Sequence, residues 1–291
     1  MTHMNIEAVL ARNAAKARTQ VTVIQSNNFP DWHQASREWR RRHLLPLLRH
    51  CYHDANAIIS VSRAVGDNLS DYAGINRDQI STIYAPIVPE NIGALAAEPV
   101  GHPWLQADTP PVILAVGRPG RAKDYPTLLR AFALVHKARK VHLIILGAGQ
   151  ESTNKHERLG ELQTLAQELG IQEYIDMPGY THNPYRYMAR ASLLALSSLY
   201  EGGPNVVPEA MACGCPVVST RCPGGVSEFL QNGRYGRMVA VGDHQALADA
   251  ICTSLDEVPP REMLMKRGLS FSVQRSTDAY ESLVSSLTDT D

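Results

Sequence analysis

The sequence predicts an α/β protein: a complete, doubly wound parallel-sheet domain in its C-terminal part and an incomplete α/β domain before it. Three observations carry that prediction. From residue 110 onward, six short strand-forming runs alternate with helical stretches, the pattern of a parallel sheet covered on both faces. The 291 residues amount to two domains at roughly 150 residues each. Before residue 85 only three such runs occur, fewer than a doubly wound domain normally has.

The first part opens with a helical stretch over 5–18 and a strand over 21–25. A basic helix over 34–52 is expected to break at Pro46, since proline removes a helical hydrogen bond. A strand over 56–61, a helix over 63–72 and a strand over 80–84 follow, and the proline-rich stretch 85–111 reads as a linker. The second part starts with 111–117, an apolar run stopped by glycine. Asp124 is placed to cap a helix with Leu128, Leu129, Phe132 and Val135 on one face. Residues 141–146 read as a second buried strand. Leu159, Leu162, Leu165, Ala166 and Leu169 then mark a helix closed by Gly170. Strands near 174–177, 193–196, 216–219 and 238–241 alternate with helices over 185–191, 206–212 and 226–230. Asp243 is expected to cap the helix 246–255. The resulting division is 1–98 for the partial first domain, 99–265 for the second, and 266–291 for a helix packing back towards the first.

Composition excludes several classes. Apolar residues make up 44% and charged residues 20%, an ordinary globular balance. Lys plus Arg is 28 and Asp plus Glu is 29, a net charge of −1. No nucleic-acid partner is therefore expected over a broad surface. No apolar run approaches the ~18 residues of a membrane-spanning helix, and residues 1–18 lack the apolar core of a secretory leader. Cys51, Cys213, Cys215, Cys222 and Cys252 form no CxxC pair, so neither a disulfide framework nor a zinc site is expected. A reducing cytoplasmic setting fits.

The segment 197–209, SSLYEGGPNVVPE, carries the chemistry. It lies between a buried strand and a helix start, where the amides of Gly203, Asn205 and Val206 lack helical partners and suit an anion such as phosphate. Glu201 and Glu209 flank it. Carboxylates repel phosphate but accept hydrogen bonds from hydroxyls, so the arrangement describes a pocket for a sugar nucleotide. Each residue alone also has a structural reading: an acid in a first helical turn gains about 0.3–1 kcal/mol from the helix dipole, and paired glycines can simply turn the chain. Arg118 and Lys123 follow the strand 111–117, in a loop that also holds Gly120. A nucleoside diphosphate leaving group needs positive charge, and charge-assisted hydrogen bonds contribute about 1.5–3 kcal/mol each. The Asp-x-Asp at Asp289 and Asp291 lies in the tail, so a metal-independent site using Arg118 and Lys123 is expected. Gly147 and Gly149 end another strand. With Ser152 where a dinucleotide fingerprint needs glycine, they read equally as a turn near a base or ribose and as a plain strand-to-helix turn.

The stretches GRPGRAKDYPTLLRAF (117–132), LIILGAG (143–149), MPGYTHNPYRYMARASLLALSSLYEGGPNVVPEAMACGCPVVSTRCPGGVSEFLQNGRYG (177–236) and VAVGDHQALADAI (239–251) resemble the C-terminal half of retaining glycosyltransferases of family 4, formerly group 1, with the GT-B fold. Glu201 and Glu209 match the E-x7-E motif of that family. ANAIISVSRAVGDNL (55–69) extends the resemblance into the first domain, and the wording is closest to bacterial enzymes of cell-envelope and exopolysaccharide synthesis. The resemblance implies that Arg118 and Lys123 bind the donor diphosphate, that Glu201 contacts the donor sugar and that Glu209 holds the ribose. It also implies that Gly203, Pro204, Asn205 and Val206 touch sugar and phosphate, and that Gly179 and Tyr180 lie near the base. The implied donor is a UDP- or GDP-sugar, the implied acceptor a glycan or lipid-linked glycan, and the implied outcome retention by front-face attack, with the departing phosphate stabilised electrostatically.

Three departures stand out. Pro208 replaces an aliphatic residue in the first helical turn, where proline is tolerated but supplies no amide. Gln25, Ser26, Asn27 and Asn28 stand where relatives often carry a histidine. The opening strand and glycine-rich loop of the family's first domain have no counterpart, which implies a truncated first domain. A nucleotide-sugar-binding protein without turnover is therefore the alternative, and epimerisation or phosphorolysis a weaker one. In the basic helix, Arg37, Arg40, Arg41, Arg42 and Arg49 accompany Trp32, Trp39, Leu44, Leu45, Leu47 and Leu48. That composition suits either an anionic membrane surface, with the enzyme peripheral at the inner face, or packing on the first sheet. His33, His43, His50 and His53 show no metal-ligand spacing.

Overall fold

The computed structural model describes residues 2–29, 37–147 and 153–288, and for 37–43 and 153–158 the backbone only. In the first domain, α1 (Thr2–Ala14) precedes β1 (Thr22–Gln25), α2 (Arg37–Asp54), β2 (Ala57–Ser60), α3 (Arg63–Ala73) and β3 (Ile80–Thr82). The strands form a parallel sheet in the order β1-β2-β3. Val23 and Ile58 from the sheet, Ile6 and Val9 from α1, and Leu48, Cys51 and Tyr52 from α2 share one core. That burial carries α2 straight through Pro46, where the sequence predicts a break. One lost helical hydrogen bond costs less than exposing the apolar turn that follows. Ser62 caps α3 by accepting from the Val65 amide, and Gly74 ends it in the left-handed region at φ 65°, the pairing expected of helix ends.

The stretch predicted as a linker contains a helix, α4 (Ile92–Ala97). Beyond it come β4 (Val112–Val116), α5 (Tyr125–Ala138), β5 (His142–Leu146), α6 (Thr153–Glu168), β6 (Ile175–Gly179), α7 (Tyr185–Met188), β7 (Leu193–Leu196), α8 (Val206–Ala212), β8 (Val217–Thr220), α9 (Val226–Phe229), β9 (Arg237–Val239) and α10 (His244–Asp256). The six strands form one parallel sheet in the order β6-β5-β4-β7-β8-β9. The alternation of side chains along a strand is explicit in β4. Ile113 and Ala115 pack under Leu128, Phe132, Leu247 and Ile251 on one face; Val112 and Leu114 share the other with Val207, Met211 and Phe229. Both faces of the central strands are thus buried, which is why β4, β5 and β7 read as near-continuous apolar runs. The chain steps outward from β4 to β6, then returns to lay β7 beside β4. The resulting crevice at the carboxyl ends of β4 and β7 is where such sheets hold ligands.

Asp243 caps α10 by accepting from the Ala246 amide at 2.9 Å. Asp124 behaves differently from the sequence expectation: it sits at φ 43° with no side-chain cap bond, and its backbone carbonyl accepts from Thr127 and Leu128 instead. Two helices close the fold, α11 (Arg261–Leu269) and α12 (Val273–Thr288). Between them Phe271 O accepts from the Val88 amide at 3.1 Å, and the first residue of α12, Val273, donates its amide to Val88 O at 2.9 Å. Along α12, Ser276 Oγ donates to Ala85 O at 3.1 Å. Near its end, Gln20 of the first domain donates to Leu287 O at 2.8 Å.

Candidate functional site

Lys123 and Glu201 meet at the β4–β7 crevice, Nζ to Oε1 at 2.6 Å, with side chains 21% and 14% exposed. Three backbone features hold Lys123 in place. Gly117, which ends β4 at φ 149°, has its α-carbon face against the lysine stem; a Cβ there would stand 2.7 Å from Lys123 Cε. Lys123 O accepts from Ser197 Oγ at 2.7 Å, and Ala122 O accepts from the Leu199 amide at 2.8 Å. The loops leaving β4 and β7 are therefore stitched to each other before any ligand arrives. Tyr125 adds a buried hydroxyl that donates to Gly117 O at 2.8 Å, and burial pushes its pKa upward. Arg118, the next residue after Gly117, is exposed and makes no ion pair among the described residues.

Glu201 is held from below. Its amide donates to Pro223 O at 3.0 Å, and its Oε1 accepts from Ser198 Oγ at 2.7 Å as well as from Lys123. Among the described residues Oε2 has no hydrogen-bond donor, which leaves one carboxylate oxygen free for a ligand hydroxyl. The following residue, Gly202, touches the first domain: a Cβ there would overlap Ser26 O. Its carbonyl accepts from Ser62 Oγ at 3.0 Å and from the Gly225 amide at 2.9 Å.

Glu209 occupies the first turn of α8, and the Tyr185 hydroxyl donates to its Oε1 at 3.3 Å. Burial pushes the Glu209 carboxyl up to about 7, against the opposing effect of that hydrogen bond. Burial and the adjacent carboxylate push the Tyr185 phenol up to about 12. Among the described residues the amides of Gly203, Asn205 and Val206 have no backbone partner, and Asn205 makes no side-chain cap bond. Pro204 and Pro208 are both buried. Gly147 ends β5 and its amide donates to Gly179 O at 2.7 Å. Tyr180 follows, 68% exposed, its ring edge-on to His182 at 5.0 Å.

The structure thus brings Arg118, Lys123, Glu201 and the 203–206 backbone to the carboxyl ends of β4 and β7, with Glu209 one helical turn on. Gly147, Gly179 and Tyr180 stand at the neighbouring strand ends. Gly149 and the side chains of Arg37, Arg40, Arg41 and Arg42 lie outside the described residues. Sequence reasoning missed Tyr185 as partner of Glu209, and Ser26 and Ser62 as contacts of the Glu201 loop. Tyr185 lies inside the resembling segment, but only folding pairs its hydroxyl with an acid 24 residues away. A hollow of about 510 Å3 beside the site, lined in part by Gly120, Asp124, Tyr125 and Leu199, takes no wall from either acid. Among the described residues no cluster of His, Cys, Asp and Glu suits a metal ion, and no helix is long and apolar enough to cross a membrane.

Comparison with known proteins identifies the family and the fold. The family described as glycosyl transferases group 1 matches residues 110–257, and glycosyltransferase family 4 matches residues 1–91. The chain is 31% identical over 206 residues to N-acetylgalactosamine-N,N'-diacetylbacillosaminyl-diphospho-undecaprenol 4-alpha-N-acetylgalactosaminyltransferase of Campylobacter jejuni, covering 71% of this chain and 52% of that protein. It is 34% identical over 187 residues to the lipopolysaccharide core biosynthesis glycosyltransferase LpsE of Rhizobium meliloti, covering 62% and 52%. The chain spans about half the length of these curated relatives. Among solved structures, HepE from Anabaena in complex with UDP superposes with a TM-score of 0.78 at 20% identity, over 98% of this chain and 77% of that one. Sucrose-phosphate synthase from Thermosynechococcus elongatus gives 0.77 at 22% identity, over 96% and 71%. These superpositions establish the GT-B-like fold.

Proposed function

The chain belongs to the group 1 glycosyltransferases, and from that premise we propose that it transfers a sugar from a nucleoside-diphosphate sugar to a glycan or lipid-linked acceptor, with retention of configuration. The observation that carries the reading is the Lys123–Glu201 pair at 2.6 Å beside an exposed Arg118. A departing diphosphate needs fixed positive charge at the point where its own charge grows. Lys123 and Arg118 supply it without a metal ion. Glu201, with one oxygen engaged by Lys123 and Ser198, turns the other to the hydroxyls of the sugar. Glu209 accepts from the ribose, and the 203–206 amides face sugar and phosphate.

Two relatives support the donor and acceptor classes. HepE is solved with UDP, UDP-glucose, and UDP and glucose, and the name of the Campylobacter relative includes a diphospho-undecaprenol. On this reading the protein works on the cytoplasmic side at an anionic membrane that Arg37, Arg40, Arg41 and Arg42 serve to attract, and belongs to cell-envelope glycan synthesis. Nucleotide release from UDP- and GDP-sugars, with and without lipid-linked glycan, tests the transfer, and the anomeric configuration of the product tests retention. Binding of donor with neither release nor transfer under any condition would overturn it. Cosedimentation with vesicles that do or do not contain anionic lipid tests the membrane contact.

A further inference from the structure

The carboxylate of Glu228, in α9, joins the second domain to the first. Its Oε2 accepts the backbone N–H of Arg63, the first residue of α3, at 2.9 Å. Its Oε1 accepts the hydroxyl of Tyr84, and Arg63 Nε lies 3.7 Å away. Glu228 is 15% exposed and the Arg63 side chain 76%. The guanidinium contact is therefore the weak member, since exposed ion pairs add little to stability. The amide is the strong one, because a shielded carboxylate that loses its donor keeps its desolvation cost. Tyr84 lies just past β3 and packs edge-on against Phe271 at 5.1 Å, so it stays with Glu228 whatever α3 does.

The same helix end reaches the Glu201 loop. Ser62 caps α3 and donates to Gly202 O, the oxygen that also accepts from Gly225. Gly202 adjoins Glu201. Separation of the domains breaks the Arg63–Glu228 and Ser62–Gly202 bonds together, since both run from the one helix end. We propose that Glu228 is a positioning residue that seats the amino end of α3 on the second domain and thereby fixes the Glu201 loop when the two domains are in contact. The role in catalysis rests on the glycosyl transfer proposed above; the coupling between α3 and the loop does not.

The test exploits the position of Arg63. Proline is tolerated at the first residue of a helix, and Ser62, at φ −157° and ψ 160°, already has the extended backbone that precedes proline. Arg63→Pro therefore removes the N–H with the side chain, whereas Arg63→Ala removes the side chain alone. Hydrogen exchange at the Gly225 amide is expected to quicken about tenfold in Arg63→Pro, as local opening becomes easier, and to stay at the wild-type rate in Arg63→Ala. Glu228→Ala, which leaves α3 intact, is expected to match Arg63→Pro. In both variants kcat falls about tenfold while UDP affinity by calorimetry changes less than about twofold, a coupling of ordinary size. Exchange in Arg63→Pro and Glu228→Ala equal to that in Arg63→Ala would overturn the proposal. An absence of transfer by the wild-type chain, with the exchange pattern as expected, would sink the glycosyltransferase reading alone.

Discussion

Lys123 Nζ and Glu201 Oε1 stand 2.6 Å apart although 78 residues separate them in the chain. The contact exists because β7 returns to lie beside β4, which puts both following loops at one end of the sheet. A pair so poorly exposed gains little net stability, because desolvation offsets much of its attraction. On the glycosyl transfer proposed above, its value is to present a cation and an acid to one ligand.

Lys123→Ala and Glu201→Ala are each expected to weaken UDP-sugar binding by more than about tenfold, or about 1.4 kcal/mol. Removing one partner strands the other charge, so the double variant is expected to lose less than the sum of the single losses. Calorimetric titration of the three variants checks this. Strictly additive losses would show that the two side chains act on the ligand separately.

Glu209 carries a pH prediction. Burial raises its carboxyl from the ordinary 4.5 to about 7. Between those values the folded state binds more protons than the unfolded one, so this group lowers stability as pH rises from about 4.5 through about 7, after which its penalty is constant. Glu209→Gln removes the penalty and is expected to raise the melting temperature at pH 8 more than at pH 5. The ionised form is the better acceptor for ribose hydroxyls, so donor affinity is expected to rise through about pH 7 in the wild type. A pH–affinity profile of Glu209→Gln parallel to that of the wild type would remove Glu209 from the donor site.

The second domain was legible in the sequence because burial on both faces turns its central strands into apolar runs, as in His142–Leu146. The segment 197–209 was legible because its acids and glycines lie close together along the chain. Pro46 misled because helix propensity is local, whereas the burial of Leu48, Cys51 and Tyr52 that carries α2 past it is tertiary. Asp124 misled for a related reason: a capping residue is recognised by type, but here its left-handed backbone turns the side chain away from the role. The contacts of Tyr185, Ser62 and Glu228 leave no trace in spacing. Each joins residues from different elements, and nothing in composition marks a hydroxyl or carboxylate for a partner 24, 140 or 165 residues away.

Gly268 of α11 is expected to be intolerant of any side chain. A Cβ there would overlap the backbone of Ala212 and Pro208 O in α8. The carbonyl of Cys213, at the end of that helix, is bonded by Arg261 Nη2 at 2.8 Å. Neither helix backbone can yield without moving the other, so Gly268→Ala is expected to destabilise the fold by about 1–3 kcal/mol, despite the better helix propensity of alanine. Urea denaturation measures it; a gain in stability would mean that the two helices separate freely.

Gly202→Ala tests whether contact between the domains matters for turnover apart from donor binding. The added methyl would overlap Ser26 O of the first domain, a backbone atom that cannot rotate away. Relief comes from drawing the first domain back, which also stretches the Ser62–Gly202 hydrogen bond. Lys123, Arg118 and Glu209 are untouched, so donor affinity is expected to change less than about threefold, while turnover falls more than about tenfold through misplacement of the reacting groups. Parallel losses in affinity and turnover would instead mean that Gly202 shapes the donor pocket directly, and that the approach of Ser26 is incidental to transfer.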